Sequence, residues 1–123
     1  MKRKEVKIYI KSVVRGGKLY YAWISSAIRD GKRIKSSSLV EHKKLIKMGA
    51  RGAVLKGIVE AIKFHEKLSF NKMIIYVDYK SIVNWSKTWG SSNDVVAEYQ
   101  IWLNQRRMSG IWVDVIINPK TVK

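Results

Sequence analysis

The sequence predicts one α/β domain over residues 1–123, with a mixed five-stranded sheet: three antiparallel strands, then two parallel crossovers, with helices packed mainly on one face. Three observations predict it. Residues 6–14 alternate apolar and polar and are followed by two turn signals. Residues 52–67 change to helical spacing, and a short apolar run, Met73 to Val77, comes directly after that helix. A chain of 123 residues supplies one core and not two.

Taking the elements in order, Val6, Ile8 and Ile10 share one face of the first strand, and Lys7, Tyr9 and Lys11 share the other. Arg15-Gly16-Gly17-Lys18 turns the chain into a second β-rich run, Leu19 to Ile28. Asp30-Gly31 then supplies the positive φ angles of a tight hairpin, and Arg33 to Val40 returns as the third strand. On the helix of residues 52–67, Val54, Ile58, Ala61, Ile62 and His65 form the apolar stripe, opposite Lys56, Glu60, Lys63 and Lys67. Met73 to Val77 reads as a buried strand that a crossover helix can deliver parallel to the first. Ile82, Trp85 and Trp89 fit a short helix stopped by Gly90. Asn93 or Asp94 caps a further helix that buries Val95, Tyr99, Trp102 and Leu103 and ends near Gly110. Ile111 to Ile117 is the last strand, closed by Pro119.

The composition narrows the chemistry. No cysteine is present, which excludes disulfide frameworks, thiolate metal sites and thiol nucleophiles. The longest run free of charge, Leu19 to Ile28, is roughly half what a bilayer-spanning helix needs, so no membrane partner is expected and the expected setting is cytoplasmic. With 25 Lys+Arg against 9 Asp+Glu, the formal net charge is +16, and a polyanion is the expected partner. Sixteen of the basic residues but only three of the acidic ones lie in residues 1–56, so the basicity is local.

The strand and helix order, with a fourth strand leading into Asp78, resembles the ribonuclease H fold. The segments that carry the resemblance are Ala27 to Ser38 for the second and third strands, Ala53 to Phe64 for the first helix and Ile74 to Trp85 for the fourth strand; it covers about residues 6–118. The resemblance implies two-metal hydrolysis of RNA paired with DNA, in which four carboxylates hold the ions. Carried over residue by residue, the first-strand carboxylate position falls on Lys11, or at latest Ser12, and the first-helix position falls on Ala53. The fourth-strand position falls on Asp78, the final-helix position has no counterpart, and the loop histidine has Asn118 as its nearest match. Only Asp78 keeps its carboxylate. Glu60 stands two turns beyond Ala53, about 10 Å along the helix, Asp30 sits in a turn, and Asp114 is isolated on the last strand. No metal and no other cofactor are therefore expected, and two roles stand open for Lys11 and Asp78: an ion pair where an ion would sit, or a solvated strand lysine beside an Asp78 that caps the helix starting near Lys80.

The expected function is duplex binding by a catalytically inactive ribonuclease H-like domain, with RNA–DNA hybrid or double-stranded RNA or DNA recognised by backbone and shape. The residues expected to reach phosphates are Lys11, Arg15, Lys18, Arg29, Lys32, Arg33, Lys35, Ser36, Lys43, Lys44, Lys47 and Arg51, with Ser37 and Ser38 as further short donors. Tyr9, Tyr76 and Trp112 are expected on a sheet face that the resemblance would cover with a final helix. They form a stacking surface or a homodimer face there, together with an open last strand carrying Val113, Val115 and Ile117. Trp85, Trp89 and Trp102 are assigned to packing, and His42 and His65 to surface or helix-face roles. Two other readings stand beside this one. The first is a protein-interaction module, similar to a connection domain or a phage-type inhibitor of a nucleic-acid enzyme. The second is a metal-dependent nuclease completed by a second chain.

Overall fold

The computed structural model describes residues 3–120. Strands β1 (Glu5–Arg15), β2 (Lys18–Arg29) and β3 (Lys32–Leu39) form the antiparallel meander, and helices α1 (Lys43–Lys47) and α2 (Ala50–Lys67) follow. Strand β4 (Lys72–Val77), helices α3 (Lys80–Trp85) and α4 (Asp94–Met108) and strand β5 (Trp112–Ile117) complete the chain. The sheet order is β3-β2-β1-β4-β5, with β1, β4 and β5 parallel. The expected architecture holds, with α1 as an addition: a five-residue helix is too short to show a period in sequence.

Both hairpins follow from their turn residues. Arg15 pairs with Lys18 across Gly16 (φ 59°) and Gly17 (φ 74°), and Arg29 pairs with Lys32 across Asp30 (φ 53°) and Gly31 (φ 77°). The core lies between one sheet face and the helices. Val6, Ile8 and Ile10 of β1, Tyr21 and Trp23 of β2, Met73, Ile75 and Val77 of β4, and Val113 and Val115 of β5 are buried against the apolar stripe of α2 and against Val96, Tyr99 and Leu103 of α4. Helix α2 approaches closely because Gly57 has no side chain: a Cβ there would stand 2.7 Å from Ile10 Cγ2 and 3.3 Å from Tyr21 Cβ. Gly52 does the same for α1, since a Cβ on it would run into the Leu45 carbonyl.

Several expectations are corrected here. Helix α3 ends at Trp85, well before Gly90; at its end Ser86 Oγ donates to Ile82 O at 2.8 Å and Thr88 Oγ1 to Asn84 O at 2.9 Å, alongside the backbone amides that these carbonyls also accept. Trp89 is therefore 62% exposed rather than packed, whereas Trp85 and Trp102 are half-buried against the core. In α4, capped by Asn93 Oδ1 on the Val95 and Val96 amides, the buried stripe is Val96, Tyr99, Gln100 and Leu103, one step round from the expected one. Gln100 belongs to it because its amide is fully engaged. It accepts from Ser91 N and donates to Trp85 O and Thr88 Oγ1, which pins the 86–92 segment. Tyr99 OH shares a 2.6 Å hydrogen bond with Ser86 Oγ, and burial pushes its pKa up to about 12 despite the lowering influence of Ser86 and Arg107. Val113 and Val115 are buried by this chain's own helices, so they are not available to a dimer. Among the described residues, no helix is long and apolar enough to cross a membrane.

Candidate functional site

The parallel register pairs Tyr9 of β1 with Tyr76 of β4. Beyond this pair β1 runs on through the exposed Lys11, whereas β4 ends at Val77 and is followed directly by the half-buried Asp78. The chain then turns through Tyr79 into α3. Across from this turn, the first turn of α2 brings in Arg51, whose Nε donates to Ser81 Oγ at 2.9 Å and whose guanidinium lies 5.2 Å from the Tyr79 ring centroid. Two contacts thus hold the Nε edge and one face of a guanidinium on an otherwise exposed residue. Ala53, one half-turn on, is fully buried in the core.

The basic residues divide by position. Lys18 and Ile46 of α1 line one depression at the β1–β2 turn, which brings Arg15, Lys18, Lys43, Lys44 and Lys47 to the same end of the sheet as Arg51. Lys44 and Lys47 also face the α4 N-terminus, where Lys44 Nζ lies 4.0 Å from Asp94. Arg29, Lys32 and Arg33 sit at the other end, because β2 runs the whole length of the sheet; the two ends are about 30 Å apart at the rise of an extended strand. Arg29 lies over Phe64 there, 5.6 Å from the ring centroid. Lys11, Lys35 and Ser36 line a depression on the sheet itself. A cluster contiguous in sequence is therefore three groups in space.

The three aromatic residues do not form one patch. Tyr9 and Tyr76 stack with centroids 4.6 Å apart and planes 10° apart. Trp112 is paired with Lys72, four residues before the Ile116 that faces Tyr76, so it stands about 13 Å down the sheet. It lies instead beneath two cations, 5.7 Å from Lys72 Nζ and 5.9 Å from Arg3 Cζ.

The remaining polar candidates have structural partners. Glu60 lies between Lys56 at 3.7 Å and Lys63 at 3.8 Å, and Asp30 holds the hairpin turn. His65 is fully buried, with Nδ1 2.7 Å from Ala61 O and Nε2 2.9 Å from Ser25 Oγ. Since a carbonyl only accepts, Nδ1 carries the proton and Nε2 accepts from the serine. Burial depresses the pKa of this imidazole, against a smaller raising effect of the Ala61 carbonyl. Among the described residues, no three His, Asp or Glu side chains converge as a metal site. Arg51 stood in the expected list, but its fixed geometry depends on Tyr79 and Ser81; an Arg in the first helical turn and the Tyr-Lys-Ser run after Asp78 were the only signals in sequence.

No protein-family model matches the chain, and no curated protein matches it in sequence. Solved structures do match. The ribonuclease H1 of the halophilic archaeon Halobacterium salinarum is 11% identical, with a TM-score of 0.69 over 95% of this chain and 87% of that one. LC11-RNase H1, isolated from compost and solved in complex with an RNA/DNA hybrid, is 12% identical, with a TM-score of 0.71 over 94% of this chain and 86% of its own. The N-terminal ribonuclease H domain of a Mycobacterium tuberculosis protein is 14% identical, with a TM-score of 0.68 over 94% and 88%. Sheet order, helix placement and these superpositions agree: the chain has the ribonuclease H-like fold.

Proposed function

We infer that this chain binds nucleic-acid duplexes, RNA–DNA hybrid foremost, at the end of the sheet where β1 and β4 finish, and does not cut them. The observation that carries this reading is the Arg51 fork, held by Ser81 and Tyr79 one turn of chain from Asp78. A guanidinium fixed in this way is pre-organised for a phosphate, which it can grip with two parallel hydrogen bonds. Arg15, Lys18, Lys43, Lys44 and Lys47 extend the same end with exposed cations, in a chain of net charge +16. A-form duplexes are read by shape, phosphates and 2′-hydroxyls, which suits a surface of cations and short donors. LC11-RNase H1 on its hybrid gives the fold a precedent for such a partner.

The residues present do not fit the pair of divalent ions that ribonuclease H chemistry uses. Lys11 and Ala53 occupy two of the positions where the resemblance places carboxylates, which leaves Asp78 as the one carboxylate of that set. The test is incubation of labelled hybrid with the protein in Mg²⁺ or Mn²⁺: the hybrid stays intact and is retarded on a gel. Metal-dependent cleavage that disappears in Asp78→Ala overturns the reading and supports a nuclease completed by a second chain.

A further inference from the structure

The helices all lie on one face of the sheet, and the other face carries a straight row of side chains across all five strands. The registers Lys35↔Ile24, Ile24↔Tyr9, Tyr9↔Tyr76 and Tyr76↔Ile116 define it. Next to this row Tyr9, Val13, Ala22 and Ile24 floor a depression of about 550 Å³, and Lys11 and Lys35 are the two charged residues that line it. Ile24 is 37% exposed on the floor. Tyr9, Val13, Ala22 and Ile24 thus form a partly exposed apolar floor beside two ammonium groups.

We propose that this face docks an amphipathic helix with acidic flanks, supplied by a partner protein. Charge complementarity chooses the flanks: carboxylates beside the apolar stripe and at its β3 end meet Lys11 and Lys35 while the stripe covers the floor. A helix of about 13 residues matches the row, which spans about 19 Å across five strands, while the depression itself lies over β1, β2 and β3. A second copy of this chain is disfavoured, because it would bring the same two lysines and another +16 against them. Stacked bases are disfavoured too. Tyr9 and Tyr76 turn their facing ring surfaces on each other, and the rest of the floor is aliphatic, so a flat aromatic platform is lacking.

The test is amide chemical-shift mapping of ¹⁵N-labelled protein with three probes. These are a synthetic helical peptide of about 14 residues with leucines at i, i+3, i+4 and i+7 spacing and glutamate flanks, the same peptide with lysine flanks, and a single-stranded oligonucleotide. The glutamate peptide shifts resonances along Ile24, Tyr9 and Tyr76, and the lysine peptide does not. Ile24→Glu, at an exposed position that leaves the fold intact, abolishes the shifts. Lys11→Glu with Lys35→Glu weakens the glutamate peptide at least tenfold and transfers binding to the lysine peptide. Shifts that are absent, or that map elsewhere, overturn the proposal. Shifts of this row by the oligonucleotide alone reassign the face to nucleic acid, and concentration-dependent broadening of the row without any probe reassigns it to self-association.

Discussion

Arg51 Nε donates to Ser81 Oγ at 2.9 Å, joining the first turn of α2 to the start of α3 beside Asp78. The bond fixes the guanidinium plane, and the ring of Tyr79 supports it from one side. Loss of this fork should be felt in binding and not in folding, since Arg51 is exposed. Arg51→Ala is expected to weaken hybrid binding about tenfold, which corresponds to about 1.4 kcal/mol, with an unchanged thermal midpoint. Arg51→Lys, which keeps the charge but not the fork, should recover only part of the loss. Fluorescence anisotropy with a labelled hybrid measures both.

The division of the basic residues predicts a dependence on duplex length. Lys43, Lys44 and Lys47 act at the Arg51 end, whereas Arg29, Lys32 and Arg33 lie about 30 Å away along β2. A duplex of six base pairs, about 20 Å long at 3.4 Å per step, cannot reach from one group to the other. Reversing Lys43, Lys44 and Lys47 to Glu should abolish binding of long and short duplexes alike. Reversing Arg29, Lys32 and Arg33 should weaken only the long one, and equal losses on both lengths would show that the ends act together in some other way.

How much of this was legible in the chain depends on range. The alternation of Val6, Ile8 and Ile10, the Asp30-Gly31 turn and the apolar stripe of α2 are local patterns, and each stands in the structure where the sequence puts it. Trp89 fits the spacing of Ile82 and Trp85 but lies beyond the end of α3 at Trp85, and periodicity does not register where a helix of six residues stops. Gln100 was passed over because a polar side chain is buried only when its partners are present, and those come from Trp85, Thr88 and Ser91. The site was the least legible part. Lysines and arginines adjacent in sequence share the expectation of reaching phosphates, but a strand as long as β2 carries its ends to opposite poles.

Burial of His65 predicts how stability depends on pH. Its imidazole is neutral in the folded chain and its pKa is depressed below the ordinary 6.5, chiefly by desolvation among Trp23, Phe64 and Phe70. Between the unfolded and folded pKa values the unfolded chain therefore binds more protons, so stability rises with pH through that window. It is fully present above about pH 6.5 and is lost as pH falls below it. Urea midpoints at pH 7.5 and 5.0 should differ for the natural chain, and the difference should shrink in His65→Gln. An equal pH dependence in the two proteins would remove His65 as the cause.

Gly57 makes a prediction of opposite sign to its helix propensity. Alanine is favoured over glycine within a helix by about 1 kcal/mol, yet a Cβ here meets Ile10 Cγ2 at 2.7 Å and Tyr21 Cβ at 3.3 Å. Overpacking a tight core costs about 1–3 kcal/mol, and the β-branched Ile10 has little freedom to retreat. Gly57→Ala should lower the urea midpoint. A raised midpoint would mean that α2 can lift from the sheet more easily than the contact distances imply.

Duplex binding by neutralised phosphates is tested most directly by the affinity for RNA–DNA hybrid as a function of salt. With the Arg51 fork and its neighbouring lysines on the backbone, log K should fall linearly with log salt, by about 0.9 per phosphate contact on the B-DNA scale, and hybrid should bind more tightly than a single strand of equal length. Removing Arg51 should make that slope shallower by about one contact. An affinity that is flat with salt, or a slope that Arg51→Ala leaves unchanged, would contradict the account.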